Sequence, residues 1–457
     1  MLENDIDEYG KRVASFDWQV FKIPDGHDLK VTDRAFEMAI NPGESAMSQK
    51  PTMIIAKTIK GKGFSIWEDK NDWHGRVLNP EQLETALQEL GEVKKDYRGE
   101  VKSPTSVSLR AKQSNPVGKE IATSITSFSP RNDNVHYKKG DMVATRKAYG
   151  VGLNNLGKIY EDIVVLDGDV KNSTYTEIFA KNFPGRFIQC FIAEQNMTGM
   201  ATGLAKLGFK PFVSTFSAFL TRAADQIRMA ALANVSICFN GSHAGISIGQ
   251  DGPSQMGLED LSLFRSIIDS SVVYPADAVS TEKLLHLLYQ TQGISYIRTT
   301  RPETPILYES SEEFPVGGSK VHKCQMSSIR QAQDRNVKCQ ITVIAAGITV
   351  HEALKAQEQL KDEQIAINVV DCYSIKPIDD ETLKRFAANS KALITVEDHY
   401  AQGGLADAVL EALAKIAHPP VYSLAVKKIP RSGKPEELLA FEEIDAGAII
   451  SLVKNLV

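Results

Sequence analysis

The sequence lacks long apolar runs, an excess of basic charge and a rich supply of cysteine. Its 457 residues carry 52 Lys and Arg against 57 Asp and Glu, and a net charge of −5 provides no basic surface for nucleic acid. No apolar run reaches membrane-spanning length, and the acidic N-terminus lacks the apolar core of a signal peptide. These absences argue against nucleic-acid and membrane partners and predict a cytoplasmic protein.

The five cysteines, at positions 190, 238, 324, 339 and 372, show neither metal-ligand spacing nor paired spacing. We expect them to be reduced core residues, as in a cytosolic protein. A hydrophobic share of 42% and a charged share of 24% are ordinary for a soluble globular protein. The length predicts about three domains, each large enough for its own core.

The most informative segment joins a strand-like run to a helix-like run through one acidic residue. Residues 185–192 read as a strand, and Thr198 to Leu207 are small and apolar enough for a closely packed helix. Glu194 therefore lies at the carboxyl end of a strand, where ligands bind in α/β layers. A carboxylate stabilised by the helix dipole explains Glu194 taken alone equally well.

Two later segments carry further candidate site residues. Phe216 and Phe219 are three residues apart, so they share a helical face or line one turn. The glycine-rich loop 241–255 follows a strand-like run and carries His243 and Asp251, which it can direct at a ligand. Taken singly, the phenylalanines are better explained by core packing and the histidine by a structural role.

The pattern along the chain predicts an α/β fold. Residues 1–95 form a first α/β segment, and residues 96–140, rich in Ser, Lys, Asn and Pro, form a linker. Residues 141–315 and 320–457 each alternate strands with helices, which predicts two three-layer domains with mainly parallel sheets. Residues 346–348 are not followed by Gly-x-Gly-x-x-Gly, which argues against a dinucleotide site there.

Six blocks, taken in order, resemble transketolases, and the resemblance extends over nearly the whole chain. They are residues 144–150, 167–174, 191–197, 214–222, 241–255 and 297–303. Ala-Glu-Gln-Asn-Met and Asp-Gly-Pro-Ser-Gln are most similar to animal-type transketolases. The resemblance implies a pyrimidine-binding domain at 141–315, a transketolase C-terminal domain at 320–457, and the remnant of a third α/β domain, which binds the diphosphate, at 1–95.

The resemblance also implies thiamine diphosphate, whose thiazolium carbon carries the reaction while the protein orients it. The reaction would transfer a two-carbon ketol unit from a ketose phosphate such as xylulose 5-phosphate to an aldose phosphate such as ribose 5-phosphate, in the pentose phosphate pathway. Glu194 matches the residue that hydrogen-bonds the aminopyrimidine, a role that needs a protonated carboxyl in a mostly apolar pocket. The other cofactor-facing matches are Phe219, which stacks on the pyrimidine, Phe216, Gln255, Lys60 and His74.

The sugar phosphates are matched by a second group of residues. Arg146, Ser173 and Arg301 match the residues that hold the phosphate, a task that suits guanidinium forks. Asp251 and His243 match residues that contact hydroxyl groups, and a histidine can also move protons near pH 7. Either arginine alone would be a routine surface charge. Glu194, His74 and His243 are thus the catalytic candidates.

The chain departs from the family in the diphosphate-binding domain. The family's Gly-Asp-Gly motif, the asparagine after it and the histidines before it are missing, so the expected magnesium or calcium lacks its ligands here. Asp167-Gly168-Asp169 lies in the other domain, and we predict no metal ligand in this chain. Met1 aligns inside the missing domain, which favours a truncated gene product, an incomplete gene model or an internal start.

This departure has consequences for stability and for function. Residues 1–95 should be poorly stable alone, or need a separate N-terminal chain, because removing strands exposes a sheet edge and apolar faces. Three functions stay open: a transketolase polypeptide that is inactive without the missing portion, another thiamine diphosphate enzyme of the deoxyxylulose-phosphate synthase type, and a non-catalytic subunit of a full-length transketolase. The family's active site lies at a homodimer interface, where Glu194 and His74 of two copies would meet.

Overall fold

The computed structural model describes residues 4–40, 50–70, 78–91, 137–323 and 340–457. The chain divides into two compact units, Met1–Lys102 and Ser103–Val457. Most of the predicted linker, residues 96–136, lies outside the described residues, as does His74. No helix in the described ranges is long and apolar enough to cross a bilayer.

The first unit contains a two-stranded parallel sheet in its described part. Strands β1 (Gln19–Ile23) and β2 (Thr52–Ala56) form this sheet. Three helices accompany it, α1 (Ile6–Ala14), α2 (Leu29–Ile40) and α3 (Pro80–Leu90). Large apolar side chains remain open to solvent among these described elements, including Phe16, Leu29 and Ile40, each at least 70% exposed.

The second unit begins with a seven-stranded sheet that is parallel except at one edge. Its strands, in spatial order, are β14 (Ser374–Lys376), β8 (Ser271–Val273), β9 (Ile294–Arg298), β7 (Ile237–Ser242), β6 (Lys210–Phe216), β4 (Ile163–Asp167) and β5 (Phe187–Gln189). A short antiparallel pair, β3 (Met142–Ala144) with β10 (Glu303–Pro305), lies beside it. The five inner strands β8, β9, β7, β6 and β4 are buried along their whole length, as strands covered on both faces should be.

Helices connect these strands and cover the sheet. They are α4 (Thr145–Ile159), α5 (Lys171–Thr174), α6 (Glu177–Asn182), α7 (Glu194–Lys206), α8 (Ala224–Leu232), α9 (Asp260–Ser266) and α10 (Ala278–Gln290). An Asp277 capping box fixes the start of α10, where the carboxylate accepts from the Ser280 amide at 2.8 Å.

The second sheet of this unit has five strands. In spatial order they are β11 (Lys320–His322), β13 (Ile367–Asp371), β12 (Ile341–Ala345), β15 (Ala392–Tyr400) and β16 (Val421–Val426). The helices around it are α11 (Ile348–Asp362), α12 (Asp380–Ala387), α13 (Leu405–Leu413), α14 (Pro435–Phe441) and α15 (Ala446–Leu456). All of these strands except the antiparallel edge strand β11 run parallel. The predicted α/β class with mainly parallel sheets is confirmed.

The two sheets are joined more closely than the sequence indicated. Strand β14 comes from the C-terminal region of the chain, yet it pairs antiparallel with β8 of the first sheet. One buried apolar cluster contains side chains from both regions, such as Tyr274 and Ile344. The predicted strand 185–192 was too long, because β5 spans only Phe187–Gln189 and Phe191 has a left-handed φ of 54°.

Candidate active site

The carboxyl ends of neighbouring parallel strands bring several of the predicted site residues of the second unit together. Phe216 is the last residue of β6, and His243 directly follows β7. Ser173 follows β4, and Arg301 lies three residues beyond β9. In parallel sheets these ends form the edge at which ligands bind.

Glu194 is the first residue of α7, and its side chain is almost completely buried at 3% exposure. The Arg222 guanidinium donates to Glu194 Oε1 at 3.0 Å. We expected a mostly apolar pocket around Glu194. This expectation is wrong, since the charged Arg222 guanidinium faces the carboxyl. Arg222 was not predicted as a site residue, although its position one turn after Phe219 was a usable signal.

Three nearly parallel rings line the site beside Glu194. The Phe216 and Phe219 ring centroids are 5.2 Å apart with an interplanar angle of 12°. The Phe216 and His243 centroids are 3.9 Å apart with an angle of 14°. Phe216 is buried in the middle of the stack, while Phe219 is partly exposed. The Phe219 ring centroid also lies 5.0 Å from the Arg222 guanidinium carbon. The stack offers a flat apolar face to a planar ligand.

His243 is held in a strained conformation, with a φ of 56°. Its Nδ1 lies 2.9 Å from the Ser242 hydroxyl. Burial, followed by the charges of Arg146 and Arg301, lowers the pKa of His243 to about 3. The imidazole is thus neutral near pH 7 and can accept and donate hydrogen bonds, and its role in proton transfer stays a prediction.

The predicted phosphate-binding residues form a connected group. Arg146, in the first turn of α4, donates to the Ser173 carbonyl at 2.9 Å and to the Arg301 carbonyl at 3.3 Å. Arg301 donates to Asp251 Oδ1 and to the Ile248 carbonyl, both at 3.0 Å. Burial lowers the pKa of Arg146, as expected of a cation drawn partly out of water. Two guanidinium groups with a single facing carboxylate suit an anionic ligand.

A buried aspartate orders the turn that holds Ser173. The carboxylate of Asp167 accepts from the Val170 amide at 2.7 Å and from the Thr174 and Thr176 hydroxyls, each at 2.8 Å. These protein donors already use both carboxylate oxygens, an arrangement typical of a structural turn. Across the described ranges, no three His, Cys, Asp or Glu side chains cluster in a way that would hold a metal ion.

The remaining predicted residues are more dispersed. Gln255 ends a 3-10 helix, Pro253–Gln255, that packs against the 3-10 helix carrying Phe219. Lys60 is exposed in the first unit, in a turn where its carbonyl accepts from the Asp69 amide at 3.0 Å. His74 lies outside the described residues.

Comparison with known proteins gives three family matches. The thiamine diphosphate binding domain of transketolase matches residues 3–130, the pyrimidine binding domain matches 141–306, and the C-terminal domain matches 331–449. Transketolases of Rattus norvegicus and Homo sapiens are each 44% identical over 458 residues, covering 100% of this chain and 68% of the relative. Transketolase-like protein 2 of Homo sapiens is 40% identical over 454 residues, covering 99% and 68%.

Two solved structures are also similar. A split-gene transketolase, described as an inactive beta4 tetramer, is 35% identical with a TM-score of 0.61, covering 69% of this chain and 98% of its own. Transketolase from Campylobacter jejuni has a TM-score of 0.68 at 22% identity, covering 98% and 69%, which supports the fold alone. With these matches along its whole length, the chain belongs to the transketolase family.

Proposed function

We propose that this chain supplies the pyrimidine-binding half of a transketolase active site. It would transfer a two-carbon ketol unit from a ketose phosphate such as xylulose 5-phosphate to an aldose phosphate such as ribose 5-phosphate, in the cytoplasmic pentose phosphate pathway. The observation that carries this proposal is the buried Glu194 carboxyl beside the Phe216 and Phe219 stack. A carboxyl next to a flat apolar face suits an aminopyrimidine ring, which is both aromatic and polar.

Thiamine diphosphate, when bound, supplies a nucleophilic carbon that no side chain provides. Glu194 would hydrogen-bond its pyrimidine ring, Phe219 would stack on the ring, and Gln255 would add a polar contact. Arg222 would have to share Glu194 or release it, because it holds Oε1 at 3.0 Å. Lys60 and His74 are proposed as cofactor contacts from the first unit.

The sugar phosphate would lie against the arginine group. Arg146 and Arg301 would hold its phosphate together with Ser173, and Asp251 with His243 would bind its hydroxyl groups. A neutral imidazole can accept one hydrogen bond and donate another, which suits a polyhydroxylated substrate. Bound phosphate would also offset the two guanidinium charges that lower the pKa of His243.

The diphosphate and its magnesium or calcium ion would need ligands from elsewhere. The described residues offer no metal-binding cluster, and the chain matches 68% of the length of its curated relatives. We infer that the rest of the diphosphate-binding domain, as a separate N-terminal chain or segment, completes the site and covers apolar side chains such as Leu29 and Ile40.

A homodimer is the second association that we propose. Helices α7 and α8 pack on each other, and near their surface Ile192, Met229 and Leu232 are exposed large apolar side chains. On α7, Gly199 and Gly203 are four residues apart, and a Cβ at either would meet nothing within 4 Å. This open face suits close packing of a second copy beside Glu194.

A ketol-transfer assay tests the proposed function. The chain would be mixed with thiamine diphosphate, magnesium, xylulose 5-phosphate and ribose 5-phosphate, with and without the N-terminal portion of a related transketolase. We expect turnover only in the complemented mixture, and its loss in Glu194→Gln. Association without turnover would instead favour a non-catalytic subunit, an alternative supported by the inactive tetramer formed by the split-gene relative.

A further inference from the structure

A single loop carries three of the proposed site residues, and the C-terminal region of the chain contacts this loop at both ends. We name residues 243–257, which include His243, Asp251 and Gln255, the site loop. At its neck, the Gly245 amide donates to the Gly257 carbonyl at 2.9 Å, and Ala244 forms a parallel bridge with Gly257.

A buried arginine ties this neck to the C-terminal domain. Arg298 is fully buried, and its Nη2 donates to the Gly257 carbonyl at 2.9 Å. Its Nε donates to Asp260 Oδ2 and its Nη1 to Asp398 Oδ1, each at 2.7 Å. Asp398 lies on β15 of the C-terminal domain, so the loop neck and this domain share one cation.

The contact between Asp398 and the loop neck is also close sterically. Gly245 has a φ of 73°, and a Cβ at this position would lie 1.8 Å from Asp398 Oδ2. Glycine thus allows the carboxylate to reach the loop backbone. The Tyr274 hydroxyl donates to the same carboxylate at 3.1 Å, which fixes its orientation.

The far end of the site loop is covered by residues 432–438. A Cβ at Gly252 would lie 2.6 Å from Ser432 Oγ, and one at Gly249 would lie 3.1 Å from the Gly433 carbonyl. Helix α14 packs on residues 246–251, and Leu438 belongs to the same buried cluster as Ile246 and Ile248. The segment that carries Asp251 is therefore supported from the C-terminal domain.

The buried ionic group of Arg298, Asp260 and Asp398 is not needed simply to pack the two domains together. Burying Arg298 and two carboxylates removes three ions from water, which is unfavourable before their mutual attraction is counted. Apolar residues would join two layers at lower cost, whereas directional charge-assisted hydrogen bonds fix a backbone precisely. The cluster lies where the position of the loop backbone is set.

We infer that the C-terminal domain, through Asp398 and Leu438, positions the site loop and thereby sets the geometry of His243 and Asp251. Asp398 and Leu438 are positioning residues, since they act through the loop and not on a ligand. The contacts that position the loop are observed in the structure, and their importance for binding sugar phosphates rests on the proposed function.

Hydrogen exchange of the site loop, followed by mass spectrometry, tests this inference. Leu438→Ala opens a cavity under the loop, and Leu360→Ala is the matched control, because Leu360 is buried in the same cluster on α11. We expect exchange of residues 243–257 to be about tenfold faster in Leu438→Ala than in the control. Equal exchange in the two variants would overturn the inference.

Two further measurements separate positioning from general stability. Asp398→Asn should accelerate hydrogen exchange of the amides at the loop neck. If this variant does not fold, the comparison of Leu438→Ala with Leu360→Ala still tests the inference. In wild-type protein the His243 ring signal should not titrate between pH 5 and pH 8, whereas in Leu438→Ala its pKa should rise toward the ordinary histidine value. An unchanged ring titration would contradict the inference. Neither readout needs a sugar or a cofactor, so failure of ketol transfer alone overturns only the proposed function.

Discussion

The carboxyl group of Asp371, at the end of β13, should make the stability of the second unit depend on pH. It is fully buried, the Tyr308 hydroxyl donates to Oδ2 at 2.6 Å, and Oδ1 has no hydrogen-bond partner among the described residues. Burial raises the pKa of Asp371 to about 8, and the nearby charge of Asp277 adds to this effect. The Tyr308 hydrogen bond and Lys320 act in the opposite direction.

The sign of the effect follows from proton linkage. The folded-state pKa of Asp371 lies above its unfolded value of 3.8, so the folded protein binds this proton more tightly. The resulting stability is fully present below the unfolded pKa and is lost as the pH rises through about 8. Between these two pKa values, each rise of one pH unit lowers the free energy of unfolding by about 1.4 kcal/mol. Raising the pH from 5 to 7 therefore lowers it by roughly 3 kcal/mol.

Urea unfolding of wild type and Asp371→Asn at pH 5, 6, 7 and 8 measures this contribution. Asparagine keeps the shape and the acceptor oxygen but cannot ionise, so the variant should gain stability relative to wild type as the pH rises. Tyr308→Phe should move the window upward, because it removes a hydrogen bond that lowers the pKa of Asp371. Parallel stability curves for wild type and Asp371→Asn would refute the reasoning.

Three further predictions concern the site and the thiols. Phe219→Leu should weaken thiamine diphosphate binding in the complemented protein about fivefold by calorimetry, because an aromatic stack contributes about 1 kcal/mol beyond its area. Arg301→Lys should weaken sugar-phosphate binding at least tenfold in a ligand titration, since one charge-assisted hydrogen bond contributes about 1.5–3 kcal/mol. Burial raises the pKa of Cys190 and Cys238 to about 12. Iodoacetamide at pH 8 should therefore leave both thiols unmodified until urea is added, as judged by mass spectrometry.

Much of the second unit could be predicted because parallel strands covered on both faces have a clear sequence signature. The alternation of strands and helices over 141–315 and 320–457 predicted mainly parallel sheets, and the buried strands β4 and β12 are examples of this signature. Strand β14 could not be found in this way, because three residues carry too little periodicity and their partner β8 lies about a hundred positions earlier.

The candidate site residues were predicted through the resemblance to transketolases, but the charges around them were not predicted. The sequence placed Glu194 at a strand end and His243 in a loop after a strand, whereas Arg146 and Arg301 came from the resemblance alone. It did not show that Arg222 would face Glu194, nor that burial, together with Arg146 and Arg301, would lower the pKa of His243. Such effects depend on distances between side chains far apart in the chain.

A calorimetric titration with thiamine diphosphate and magnesium tests the central claim most directly. The titration would use the chain alone, the chain with the N-terminal portion of a related transketolase, and the same mixture carrying Glu194→Gln. We predict binding only in the complemented mixture, and its weakening in the variant. Binding to the chain alone would contradict the proposed need for outside diphosphate ligands, and equal binding by wild type and variant would contradict the role of Glu194.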